Sequence, residues 1–281
     1  MFCYLKPLWG AALAVIIVAA GAGFCQAGAW TAEKGESYNR FALSSFYSDQ
    51  NYDQDGDKKG APSDADFRDL NLNYYLEYGV TDEATVIASL YLKYLSREDD
   101  FRKDETWGIG DIDLGLKYQL WERPGAAVST QGLVKIPEAY DDREVLPLGD
   151  GVYDLELRLL YGQSLWRFFP GYCNFEAAYR WREGSADGQL RYLVELGSDF
   201  GKNFYGRIKL DGIEGMGDDT DVLDPEGNPS ATTDFDLGKL DVALGYEIDP
   251  RWGLEVAYTP TIYGENTAAG ATWGLAVTFK P

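Results

Sequence analysis

Histidine is missing from this 281-residue chain. Imidazole is the side chain that most often moves protons at neutral pH, so its absence removes the His-dependent hydrolases, and the chain reads as a non-enzyme. Cysteine is nearly as scarce. Of three, Cys3 and Cys25 fall in the N-terminal leader described below, leaving Cys173 with no intrachain partner. No disulfide therefore staples the remainder. Beyond that leader there is no apolar run long enough for a helical membrane span. Positive charge is short as well: Lys+Arg number 25 against 46 Asp+Glu, a formal net charge of −21. A polyanion lacks the basic surface that phosphate backbones require, so no nucleic-acid partner is expected. Gly108-Ile109-Gly110 has neither the third glycine nor the following helix of a dinucleotide loop. No cofactor is expected.

What is present begins with export. Lys6 is followed by an apolar run from Leu8 to Phe24 and then by the small-x-small sequence Ala27-Gly28-Ala29. This is the layout of a cleaved signal peptide. It predicts a leader over 1–29 and a mature domain over 30–281. The composition is aromatic-rich and glycine-rich, with Tyr 20, Phe 13, Trp 8 and Gly 32. That is too apolar for a disordered polyanion.

Alternation dominates the rest. Leu70, Leu72, Tyr74, Leu76 and Tyr78 are interleaved with Asn71, Asn73, Tyr75 and Glu77. Leu155, Leu157 and Leu159 alternate with Asp154, Glu156 and Arg158, and Leu240, Val242 and Leu244 with Asp241, Ala243 and Gly245. A period of two places each set on its own face of a strand. Such runs are predicted at 38–49, 66–79, 84–96, 107–121, 126–137, 152–166, 171–182, 189–200, 204–213, 235–248, 252–263 and 271–279. Their connections alternate between short and long, with both chain ends on the short-turn side. Trp121, Trp166 and Trp252 fall beside short turns, whereas Trp107, Trp181 and Trp273 fall at the long-loop ends. Interfacial girdles place tryptophan in this way. The expected fold is all-β: a transmembrane antiparallel up-and-down barrel of about twelve strands in the bacterial outer membrane, with lipid as its outer partner.

If the apolar face meets lipid, the other face lines the lumen. The candidate lumen-lining residues are Lys93, Lys117, Lys135, Arg158, Arg180, Arg191, Arg207 and Lys209, faced by Asp113, Glu156, Glu176 and Glu195. Charges so placed can select permeants or pair across strands and fill a narrow bore. Twelve strands lie between barrels that close on their side chains and barrels with a clear channel, so open and plugged bores are both retained. Two acidic runs, Asp53-Gln54-Asp55-Gly56-Asp57 and Asp218–Glu226, could hold divalent cations loosely at the surface. Neither completes a calcium loop, and solvated loop is the plainer reading.

Two segments resemble known families. They are Ala29-Trp30-Thr31 leading to Lys34-Gly35-Glu36, and Gly108-Ile109-Gly110-Asp111-Ile112-Asp113-Leu114-Gly115-Leu116-Lys117-Tyr118. Together they are similar to XagA-like proteins and to the outer-membrane family named for the meta-pathway of phenol degradation. The resemblance implies passage of small, often aromatic, solutes across the outer membrane. The alternative it implies is a non-enzymatic surface or export accessory for exopolysaccharide and biofilm. It supplies no catalytic motif.

Overall fold

The computed structural model describes residues 28–184, 186–217 and 234–281. The predicted leader over 1–29 therefore lies outside the described residues, except for Gly28 and Ala29. The strands are β1 (Ser37–Ser48), β2 (Gln50–Tyr52), β3 (Lys58–Gly60), β4 (Asp66–Thr81), β5 (Ala84–Glu98), β6 (Lys103–Arg123), β7 (Ala126–Ile136) and β8 (Asp154–Ser164). They continue as β9 (Gly171–Arg182), β10 (Gln189–Phe200), β11 (Phe204–Gly215), β12 (Asp236–Glu247), β13 (Trp252–Glu265), β14 (Thr267–Ala268) and β15 (Ala271–Phe279). Twelve of these, all but β2, β3 and β14, form one closed barrel in chain order. β1 closes on β15, antiparallel, with Phe41 opposite Val277 and Leu43 opposite Leu275. Closure leaves no strand edge, so every barrel strand pairs on both sides.

The alternation read from the sequence determines which face is which. In β8, Leu155, Leu157 and Leu159 are exposed, while Asp154 and Glu156 between them are only 2% and 1% exposed. This inverts a soluble protein, with charges inside and leucine outside, as lipid demands. The outer belt also carries Phe41, Leu43, Leu72, Leu116, Leu196, Ile208, Leu244 and Leu275. Trp121, Trp166 and Trp252 are exposed at one rim, and Trp107, Trp181 and Trp273 at the other. The register is irregular between Gln119 and Trp121, which leaves both Leu120 and Trp121 exposed.

Three segments depart from the plain barrel. β2, β3 and β14 form a small sheet that ties the connection after β1 to the one before β15, Thr267 pairing with Tyr52. The connection between β7 and β8, one of the long connections expected from the sequence, turns inward. Its Leu146 and Leu148 are buried with Phe67 and Leu95 under the barrel mouth. An apolar pair in an acidic loop had to be covered, and the mouth is where it finds cover. The third departure is at the opposite end, where residues 28–36 run up inside the barrel from the short-turn rim. Ala32 N–H donates to the Thr85 hydroxyl at 2.8 Å, and the Thr31 hydroxyl donates to the Asp82 carbonyl at 2.7 Å. Ala29 packs fully buried against Ala127 and Leu160, with Trp30 over them.

Leu159 offers a direct check on the lipid-facing assignment. Leu159→Arg should lower the stability of the barrel refolded in lipid vesicles by about 2–4 kcal/mol, the penalty for arginine near the bilayer midplane. Urea unfolding followed by tryptophan fluorescence measures it, and an unchanged midpoint would place this face elsewhere.

Candidate functional site

The lumen is held by charges from neighbouring strands, placed level with one another by the antiparallel register. Glu156 on β8 sits opposite Arg180 on β9. Its side chain is fully buried, and it takes Arg158 at 2.7 Å, Arg180 at 2.9 Å and Arg191 at 3.2 Å. Arg158 also pairs with Glu176. One step toward the outer rim, the equally buried Asp154 takes Lys135 at 3.0 Å, Arg180 at 3.1 Å and Arg182 at 3.2 Å. Arg182 reaches on to Asp150 of the inward-folded connection, which also pairs with Lys135 at 2.5 Å.

A second group spans the far wall. Arg207 pairs with Asp241 at 3.1 Å, Glu255 at 3.2 Å and Glu195 at 3.7 Å, and Arg40 joins Glu255 at 2.8 Å. Near the inner end, Lys117 pairs with Glu77 at 3.1 Å, and the Tyr75 hydroxyl donates to the same carboxylate at 2.6 Å. Lys93 lies 3.6 Å from Asp69 and donates to the Leu148 carbonyl at 2.7 Å, fastening the inward connection to β5. Tyr140 in that connection donates to Asp111 at 2.6 Å and accepts from Gly151 N–H at 3.1 Å. Burial and the neighbouring carboxylate push the Tyr140 phenol well above its ordinary value.

These networks lie against the wall and leave space between them. One cavity of about 480 Å³ is lined by Tyr75, Tyr91, Asp113, Arg158, Arg207 and Lys209, among others. Asp113 and Lys209 face it without an ion pair within 4 Å among the described residues. Toward the outer end, a cavity of about 280 Å³ shares the lining residues Tyr91 and Asp113 with it. A third, of about 210 Å³, shares Asp69 and Asn71 with the second. The third is a vestibule walled by Phe46, Phe67, Phe235 and Leu237, with Lys239 at its edge. At the inner end, Tyr38 lines both the main cavity and a small cleft beside Asp199, Tyr205 and Glu247.

The twelve lumen candidates thus fall on inward positions of β5 to β11. Lys93, Lys135, Arg180 and Arg191 stand around the outer cavity, and Lys117, Arg158, Glu176, Glu195, Arg207 and Lys209 around the main one. Asp113 borders both, and Glu156 sits behind them in the wall. Arg40, Asp154 and Arg182 belong to the same networks and were missed, although each follows the alternation of its own strand. Asp150 and Tyr140 carried no periodic signal, because they come from a loop.

Of the acidic runs, Asp218–Glu226 lies outside the described residues. In the other, the Asp53 carboxylate caps its own turn, accepting from Asp55 N–H at 3.0 Å and Asp57 N–H at 2.9 Å, and pairs with Lys59. The Lys59 ammonium and the Asp57 amide hold its carboxyl below the usual aspartate range.

Glu156→Gln leaves three guanidinium groups around a neutral amide. Removing the anion at the centre of a buried ionic group strongly destabilises, by about 3–5 kcal/mol. The heat-modifiable gel shift of the folded barrel should collapse at a markedly lower temperature. A wild-type melting profile would show that the network is dispensable.

No curated protein matches the chain. Among solved structures, an outer membrane channel from Pseudomonas putida F1 superimposes with a TM-score of 0.71 at 15% identity, covering 90% of this chain and 97% of that one. At that identity the likeness is one of fold, and the fold is that of an outer-membrane barrel. The CymD monoaromatic hydrocarbon channel gives a TM-score of 0.47 at 11% identity, with 89% of each chain covered. The KdgM porin gives 0.49 at 8% identity, covering 85% of this chain and 98% of that one. The sequence itself goes further than shape: residues 33–277 match the family described as "Putative MetA-pathway of phenol degradation", and the chain belongs to that family.

Proposed function

We propose that this barrel is a passive, non-enzymatic outer-membrane channel for small aromatic solutes of phenol-like character. The observation that carries the reading is the series of cavities that share lining residues, from the phenylalanine vestibule to Tyr38 at the inner end. Family membership supplies the solute class, and the lining fits it. Phe46, Phe67 and Phe235 offer ring faces at the entrance; Tyr75 and Tyr91 offer ring faces and hydroxyls further in. Aromatic pairs gain from offset or edge-to-face contact, and a solute hydroxyl can exchange water for Asp113 or a tyrosine as it passes.

Among the described residues, the cations and carboxylates that line the two inner cavities nearly balance, although the chain as a whole carries −21. A compensated lumen exerts little net pull on an ion, which suits a solute that is neutral at pH 7. Internal ion pairing beneath an ordered cap would also fit a surface accessory for polysaccharide. The cavity of about 480 Å³ left between the pairs favours passage.

The test is single-channel recording of the refolded mature protein in planar bilayers. Steady, weakly ion-selective openings are expected, with current reduced by added phenol. Because Asp113 and Lys209 have no ion pair within 4 Å among the described residues, Asp113→Asn should shift the reversal potential toward anion preference and Lys209→Gln toward cation preference. A correctly folded barrel that stays electrically silent, and whose proteoliposomes admit phenol no faster than lipid alone, overturns the reading.

A further inference from the structure

Residues 28–36 do more than lead into β1. Gly28 and Ala29, which the small-x-small pattern assigned to the leader, are built into the inner end of the barrel. The Lys117 ammonium donates to the Gly28 carbonyl at 3.1 Å while holding Glu77. The Ser129 hydroxyl donates to the Ala29 carbonyl. Ala29 is fully buried against Ala127 and Leu160. A Cβ on Gly28 would fall 2.4 Å from the Asn174 side chain, so any larger residue here would have to displace it. Trp30 completes the fit, its ring lying where a Cβ on Gly162 would stand at 2.4 Å. A chain cut after Ala29 would lose both carbonyl contacts and leave a hole beside Leu160.

We propose that the leader is removed at the Ala27–Gly28 bond and that residues 28–36 are kept as an inner strap across one half of the barrel's periplasmic mouth. Cys25-Gln26-Ala27 also satisfies the small-x-small requirement of a leader peptidase. Water adds across the amide: Ala27 departs as a carboxylate, and the Gly28 nitrogen becomes an ammonium group. That ammonium borders the main cavity, which Glu77, Glu176 and Glu195 also line. Processing therefore adds one positive charge to the lumen. The strap touches β5 to β9 through Thr85, Lys117, Ser129, Gly162 and Asn174. The strap leaves β1, β11 and β12 uncovered, where Tyr38, Tyr205 and Glu247 line a small cleft of about 30 Å³.

The experiment is intact-mass analysis of the mature protein extracted from outer membranes, followed by amine labelling. The expected mass is that of a chain starting at Gly28; a chain starting at Trp30 overturns the proposal. The folded barrel in detergent should resist acylation of its α-amine, with labelling restored on unfolding, as read on the N-terminal peptide. Equal labelling in both states overturns the seating of the terminus. A chain refolded from Trp30 should melt about 2–4 °C lower for each kcal/mol of lost contact. This outcome is independent of solute passage, since a silent barrel can still carry the strap.

Discussion

Everything inside this barrel follows from the need to neutralise charge that the apolar outer face has pushed inward. A twelve-stranded wall with leucine toward lipid leaves its alternate positions to a bore too narrow to hydrate each ion fully. Burying a lone charge there is prohibitive, whereas a charge with several partners is tolerated. Asp154 and Glu156 show the solution. Each is fully buried, and each is shared among three cations drawn from β7 to β10. The same pairs that make the lumen tolerable keep its wall round, because they link strands beyond nearest neighbours.

The two inward segments depend on that charged lining. Residues 137–153 are held by Lys93, Lys135 and Arg182, inward cations that each meet a carbonyl or carboxylate of the loop. Residues 28–36 are held by Lys117 and Ser129 from the opposite end. Each segment adds an apolar anchor to these polar contacts, Leu146 and Leu148 at the outer mouth and Trp30 at the inner one. Bore diameter is thus set by two segments packed into a wider cylinder as well as by strand number.

The barrel and its facing were legible in the sequence because both rest on a local rule. Alternation needs only neighbouring residues, so Leu155, Glu156, Leu157 and Arg158 announce their sides without knowledge of the partner strands. Six tryptophans marked the two rims for the same reason. The partners of each lumen charge were not legible, since they depend on register: Glu156 meets Arg180 because β8 and β9 pair as they do. The irregular segments were hidden by a different cause. Leu146 and Leu148 are an apolar pair in an acidic stretch, a signal of burial without direction. Ala29 matched a cleavage pattern that describes what a peptidase accepts, and that pattern carries no information about where the alanine packs. Glu98 and Lys103, at the outer ends of β5 and β6, pair in the structure beyond the predicted ends of those strands, because hairpins continue past the membrane where no hydrophobic period marks them.

The distribution of charge bears on what can use such a route. Among the described residues, the excess of carboxylate is not found around the inner cavities, and much of it lies on the connections. Charges on exposed loops act only over about 8 Å at physiological salt. They therefore govern approach to the mouth and not passage through it. An anion is disfavoured at the approach, and a cation is drawn to loop carboxylates before it reaches the vestibule. A neutral ring experiences neither force. Inside, where pairs such as Arg158 with Glu176 already satisfy one another, such a solute has few charges to displace and meets Tyr91 and Asp113 as its polar contacts. In the proposed channel the acidic exterior thus disfavours anions, and the compensated interior leaves a neutral ring little charge to displace.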